Sequence, residues 1–219
     1  MKTYDFDQYS PSWWAVRRGV PSASMFDKII TPVKGEPSKS AMDYAHQLIA
    51  DQYDLDYGAV EDHVSAAMKN GTLIEPEARR FYAFERGCDV QQVGFCTTDD
   101  GRFGCSPDGL VGDDGGVEVK SPTPKTQVAY LLDGVLPTDY RPQVHGSLVI
   151  TGRQWWDFMS YVPGFPPLLV RVEPDDYTEK VRKALDNFWP LYQAMLDEVR
   201  RREGFPEPVA ANDDDDIIF

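Results

Sequence analysis

Apolar and polar positions follow two different periods along this chain, and the change of period divides it. From Trp13 to Gly87 the helical period dominates. Ser10-Pro11 reads as an N-cap followed by a first-turn proline, opening a short helix through Trp13, Trp14 and Val16 that stops at Gly19. Ser22 or Ser24 caps a second short helix holding Met25, Phe26, Ile29 and Ile30. After the loop-like TPVKGEPSKS, Met42, Ala45, Leu48 and Ile49 recur at helical spacing, and Val60 to Lys69 reads as a further helix. Gly71 reads as a break before IEPEARRFYAFERG, whose Ile74, Ala78, Phe81, Tyr82 and Glu85 mark a helix closed by Gly87.

The period then shortens. Val90 to Cys96, Phe103 to Ser106, Leu110-Val111 and Val117 to Val119 read as short strands joined by Asp-Gly turns. Lys125 to Leu132 and Tyr140 to Val149 read as helices, Gln154 to Val162 and Leu168 to Val172 as strands, and Tyr177 to Arg201 as a long amphipathic helix. This order predicts an α+β or mixed α/β fold with a central sheet flanked by helices, and no internal repeat.

Composition narrows the function classes. The chain has 219 residues, 42% of them hydrophobic, with five Trp, eleven Tyr and eleven Phe, enough for one sizeable core. Cys88, Cys96 and Cys105 have no clasp spacing, so no structural zinc or iron–sulfur centre is expected. No apolar run reaches the roughly 20 residues that span a bilayer, and MKTYDFDQYS has no apolar signal core. The expected location is a reducing cytoplasm. A formal charge of −14 opposes nonspecific attraction to nucleic acid unless the basic residues are gathered on one surface.

The chemistry concentrates in SPDGLVGDDGGVEVKSP, Ser106 to Pro122. Asp113-Asp114-Gly115-Gly116 reads as a hairpin turn, which makes Val117 to Lys120 the outgoing strand. Alternation then turns Glu118 and Lys120 to one side and Val117 and Val119 to the other, with Asp108 beside the incoming strand. Two carboxylates and an ammonium converge. Hard oxygen ligands with a neighbouring cation suit metal-assisted phosphodiester hydrolysis, though a surface hairpin with a cross-strand ion pair fits the same spacing.

Together, SPDGL, VEVK and RPQVHGSLVITGRQWWDFMSYVPG resemble the viral recombinase branch of the PD-(D/E)xK nucleases, the phage lambda-type exonucleases. The resemblance spans roughly Trp13 to Tyr161. It implies Asp108, Glu118 and the Val119 carbonyl as ligands of Mg²⁺, with Mn²⁺ as a possible substitute, Lys120 as the catalytic lysine, and Gln143 and Glu75 as further site residues. WWAVRRGVPSAS is similar to the family segment in which Arg and Ser hold a terminal 5′-phosphate, here Arg17 and Ser24. The implied activity is 5′→3′ degradation of one strand at double-stranded DNA ends, exposing a 3′ strand for an annealing protein, by a ring-shaped homotrimer. A repair or restriction-type endonuclease of the same superfamily, or a module that binds DNA ends or proteins without chemistry, are the alternatives.

Several residues keep plainer readings. Arg17 could complement a helix C-terminus, Arg79 could pair with Glu75, and His46, His63 and His145 read as surface or helix-face positions, with the role of His145 open. Residues 1–205 are read as one nuclease domain and 206–219 as an acidic tail. Asp213, Asp214, Asp215, Asp216, Ile217, Ile218 and Phe219 resemble the acidic tip of bacterial single-stranded DNA-binding proteins, which implies a recruitment peptide for an annealing protein or a host single-strand-binding or repair protein.

Overall fold

The computed structural model describes residues 1–53, 66–204 and 206. Strand β1 (Lys2–Tyr4) is followed by helix α1 (Pro11–Arg17), a 3-10 turn at Ala23–Lys28, and helices α2 (Ala41–Asp51) and α3 (Ala66–Arg86). Five short strands come next: β2 (Val90–Gln91), β3 (Phe95–Thr97), β4 (Gly104–Cys105), β5 (Gly109–Val111) and β6 (Gly115–Lys120). Helices α4 (Pro124–Asp133) and α5 (Arg141–Thr151) lead to β7 (Trp155–Ser160), β8 (Leu168–Val172) and the long α6 (Asp176–Arg200).

A mixed sheet in the order β2-β5-β6-β7-β8 forms the centre, antiparallel except for the parallel β6–β7 pair. A smaller antiparallel sheet, β1-β3-β4, lies apart from it. Alternation along β6 decides what each face buries. Val117 and Val119 join Met159 in packing against Ala78 and Tyr82 of α3. Trp156 and Phe158 of β7 enter the larger core with residues of α2, α5 and α6. Gly115 and Gly116 leave room for the indoles: a Cβ on either would sit 2.0 Å from the Trp155 ring or 2.4 Å from that of Trp156.

Helix boundaries follow local chemistry. The Ser10 hydroxyl accepts from the Trp13 N–H at 3.2 Å and Pro11 opens α1, as the sequence predicts. At α6, Asp175 and Thr178 form a reciprocal capping box. Tyr177, Val181, Leu185, Phe188, Tyr192 and Leu196 then recur every three or four residues as one buried stripe, which carries α6 through Pro190.

Five expectations change. Gly71 does not interrupt the chain: α3 runs through both Gly71 and Pro76, because Ala78 and Tyr82 are buried against the sheet and tertiary packing outweighs two poor helix formers. The Ser22 segment is a 3-10 turn with no side-chain cap. Val90 to Cys96 is two strands in different sheets, β2 and β3, and β4 is only two residues long. The hairpin turns through Gly112, Asp113 and Asp114, with Gly112 at φ +53°, while Gly115 and Gly116 belong to the strand. Lys2–Tyr4 adds an unpredicted strand on β3. The helix expected at Val60 to Lys69 lies partly outside the described residues, as do His63 and the tail from Asp213 to Phe219.

Candidate active site

The β5–β6 hairpin does the first positioning. Its register pairs Gly109 with Val117, so one step further sets Asp108 across from Glu118. Asp108 Oδ2 accepts the Val119 N–H at 2.6 Å, which fixes the carboxylate on the neighbouring strand. Glu118 is buried. Its Oε1 receives the Lys120 ammonium at 2.6 Å and the Gln143 amide of α5, also at 2.6 Å, whereas its Oε2 is buried without a hydrogen-bond partner.

Helix α3 closes the other side. Arg79 lies one turn along from Glu75 and pairs with it at 3.2 Å, and its second amino group donates to the Asp108 carbonyl at 2.8 Å. Turned with its oxygen toward Arg79, the Gln92 amide accepts from both amino groups, at 2.7 and 2.9 Å. Arg79 thus ties the helix, the hairpin and β2's trailing residue together. The ion pair proposed as its plain role exists, and it also anchors the site.

Charge is unevenly shared. Burial pushes the Asp108 carboxyl well above its ordinary range, and Glu118 and Glu75 push it further. Burial and Glu118 raise Glu75 as well, against the pull of Arg79 and Lys120. For Lys120, burial alone would favour the neutral amine, but Glu118 and Asp108 outweigh it and hold the ammonium above its usual value. The pocket holds more carboxylate than one lysine can balance.

The N-terminal motif meets the site through Ser106. Trp13 Nε1 donates to Ser106 Oγ at 2.9 Å and to the Gly94 carbonyl at 3.0 Å, and Arg17 Nη1 reaches the same hydroxyl at 2.9 Å. The Arg17 guanidinium lies 4.2 Å from the Trp13 ring centroid, and burial lowers its pKa. Ser24 is exposed, its hydroxyl 3.2 Å from that of Ser22. The contacts described for Arg17 and Ser24 run to these other residues, not between the two.

His145 lies on a helix, one of its two expected positions, and the surface alternative is corrected. It is buried rather than on the surface, with Nδ1 2.8 Å from Thr178 Oγ1 and 3.5 Å from Asp175, so it docks α5 on the α6 cap. A single sequence carries no signal for that contact between distant segments. His46, on α2, is exposed as expected.

Other supporting residues escaped the sequence reading. Gln127 of α4 is fully buried, donating to the carbonyls of Ser160 and Pro166 and accepting from the Ser160 hydroxyl, and Ser160 is the register partner of Lys120. Arg153 donates to the carbonyls of Val111, Gly112 and Gly115 and so braces the hairpin turn. Ser106, which opens the SPDGL motif, is given no role there.

The donor set suits a hard divalent cation. An orphaned, buried Glu118 oxygen beside Asp108, in a pocket with excess carboxylate, is a site that a cation would relieve. Among the described residues no group of three or more His, Cys, Asp or Glu side chains is placed to hold a metal. Asp108 and Glu118 thus stand as a carboxylate pair, and a strongly hydrated ion such as Mg²⁺ is commonly held by one or two carboxylates and keeps several waters. No described helix is long and apolar enough to cross a membrane.

Residues 12–154 match the family described as the YqaJ-like viral recombinase domain. The structure of an alkaline exonuclease from Laribacter hongkongensis superposes with a TM-score of 0.75 at 31% identity, covering 88% of this chain and 97% of that one. The same enzyme solved in complex with dAMP gives the same figures. A phage-related exonuclease from Haemophilus somnus 129PT shares the fold at TM-score 0.57 and 15% identity, over 82% of this chain and 96% of that one. No curated protein matches by sequence.

Proposed function

Since the chain belongs to the YqaJ-like viral recombinase family, we propose that it is a divalent-cation-dependent DNA exonuclease that degrades one strand of linear duplex 5′→3′ and leaves a 3′ strand for annealing. The observation that carries the reading is Glu118, held by Lys120 and Gln143 through one oxygen while the other stays unpartnered beside Asp108. The Laribacter hongkongensis relative is an alkaline exonuclease also solved with dAMP, which supports a deoxynucleoside monophosphate as product.

Each residue then has a role. Asp108, Glu118 and the Val119 carbonyl would hold Mg²⁺ or Mn²⁺, which when bound supplies charge neutralisation at the phosphate and acidifies a water. Lys120, kept as an ammonium, positions that water and offsets negative charge as the phosphodiester opens. Gln143 orients Glu118, and Glu75 with Arg79 sets the Asp108 backbone. A ring-shaped homotrimer that encloses duplex DNA, and an acidic tail that recruits an annealing or single-strand-binding protein, complete the proposal.

The test is release of soluble deoxynucleotides from linear duplex with Mg²⁺. Release stops with chelator, and covalently closed circles stay intact. Nicked circles would favour the endonuclease alternative, and release that persists in chelator would overturn the metal role.

Arg17 offers a test of direction. Its guanidinium spends one donor on Ser106, leaving others for a phosphate, and a charged hydrogen bond contributes about 1.5–3 kcal/mol. Arg17→Ala should slow digestion of 5′-phosphorylated ends by roughly tenfold or more, with a small effect on 5′-hydroxyl ends. Equal losses on both ends would remove the phosphate pocket from this site.

A further inference from the structure

A cavity of about 640 Å³ opens between the segment Asp5–Ser12 and the face of α3 that carries Glu75, Pro76 and Arg79. Glu75 and Arg79 have roles above, but the space they line does not. Its wall is continuous with the active site: the Gln8 amide donates to the Val93 carbonyl at 3.3 Å and to the Pro107 carbonyl at 3.0 Å, one residue before Asp108. The volume falls in the roughly 300–1,000 Å³ range of small-molecule sites. A second, smaller cavity of about 270 Å³ shares Pro76, Arg79 and Gln92 with it.

Tyr9 borders the opening, 45% exposed. Among the described residues it is the one non-glycine at positive φ, +69°. That backbone conformation is unfavourable for a bulky side chain, and it is held where the ring stands 5.0 Å from Trp13 and edge-on to Trp14 at 6.5 Å. The aromatic cluster leaves two rings half-exposed, Tyr9 and Trp14, and of these Tyr9 lines the cavity that ends at α3.

The lining says what could enter. Asp5, Asp7 and Glu75 are acidic, with Arg79 already committed to Glu75, Asp108 and Gln92, so a phosphate would be repelled. A flat, uncharged ring with amino donors and a ring acceptor suits Tyr9, the carboxylates, the Gln8 amide oxygen and the Ser12 hydroxyl. We propose that this cavity is a nucleobase pocket, taking the base of the terminal nucleotide of the strand being cut, with Tyr9 stacked on it. The proposal deepens the exonuclease reading and rests on it for the identity of the strand. Its phosphate stays outside, at Asp108 and Glu118.

The test uses the full-length protein and linear duplexes whose terminal nucleotide, at the 5′ or the 3′ end, either carries a base or is abasic. Tyr9→Gly removes the ring and is relaxed at φ +69°, so its fold bears no new strain. Wild type should show a KM roughly tenfold higher for abasic ends, the scale of one base–aromatic stack. Tyr9→Gly should erase that difference by weakening base-bearing ends alone, and Tyr9→Phe, which keeps the ring, should restore it. Losses equal on both kinds of end, or no change on either, would overturn the pocket. Titration with deoxyadenosine, which has no phosphate, separates this from the nuclease reading. Saturable quenching of protein fluorescence, at least tenfold weaker in Tyr9→Gly, supports the pocket even if no duplex is hydrolysed; no saturable quenching in wild type overturns it.

Discussion

Lys120→Ala should lower hydrolysis of linear duplex by at least about 10²- to 10³-fold, the usual loss for removing a group that stabilises developing charge. Asp108→Ala and Glu118→Ala should do the same or worse. The three residues lie at the end of the hairpin, and the apolar face of β6 that packs on α3 is made by Val117 and Val119. Thermal midpoints of the variants should therefore stay near that of the parent. Lys120→Ala carries a second signature. The ammonium 2.6 Å from Glu118 is the nearest counter-charge to the carboxylate pair, so removing it should tighten divalent-cation binding while activity disappears. A variant that both cuts at parental rates and binds cation unchanged would remove Lys120 from the chemistry.

The second large effect concerns stability, at a carboxylate that does no chemistry. Asp157 of β7 is fully buried and receives the Tyr82 hydroxyl at 2.8 Å and a two-pronged Arg171 at 2.8 and 3.0 Å, with Arg86 at 3.4 Å. It fastens α3, and with it Glu75, to the sheet. Breaking a buried pair costs about 3–5 kcal/mol, but Arg86 and Arg171 are partly solvated, which places Asp157→Ala at the lower end. For a chain of this size, roughly 3 kcal/mol lowers the unfolding midpoint by roughly 6–12 °C. A drop under about 2 °C in thermal unfolding would show that the cluster contributes little. Arg171→Ala, which leaves Tyr82 and Arg86 on the carboxylate, should cost less.

What the sequence made legible was local or motif-bound. The stripe of α6, the Ser10 cap, the alternation of β6 and the set Asp108, Glu118, Lys120 and Gln143 all rest on spacings within a few residues or on the family's ordered motifs. What it hid was tertiary. Gly71 looks like a breaker until the sheet holds α3 helical around it. His145 shows its role only when α6 covers it, and Arg153 shows its own only when three hairpin carbonyls receive it. Gly115 and Gly116 read as turn residues because Asp-Gly is a strong turn signal, and only the two tryptophans of β7 show why glycine stands in the strand.

The parallel pairing of β6 with β7 has a kinetic consequence. Parallel neighbours need a long crossover, and here α4 and α5 are made between the strand that bears Glu118 and Lys120 and the strand that supports it. Gln143 lies inside that crossover, Glu75 well before the hairpin, and Ser160 at the end of β7. Such distant contacts are expected to form only once the entropic cost of closing the chain has been met. A chain still emerging from the ribosome, or one truncated before Trp155, has the carboxylates but not the frame that sets them together. Cutting competence should thereby be tied to completion of the fold, so that a chain ending before Trp155 carries the carboxylates without the activity.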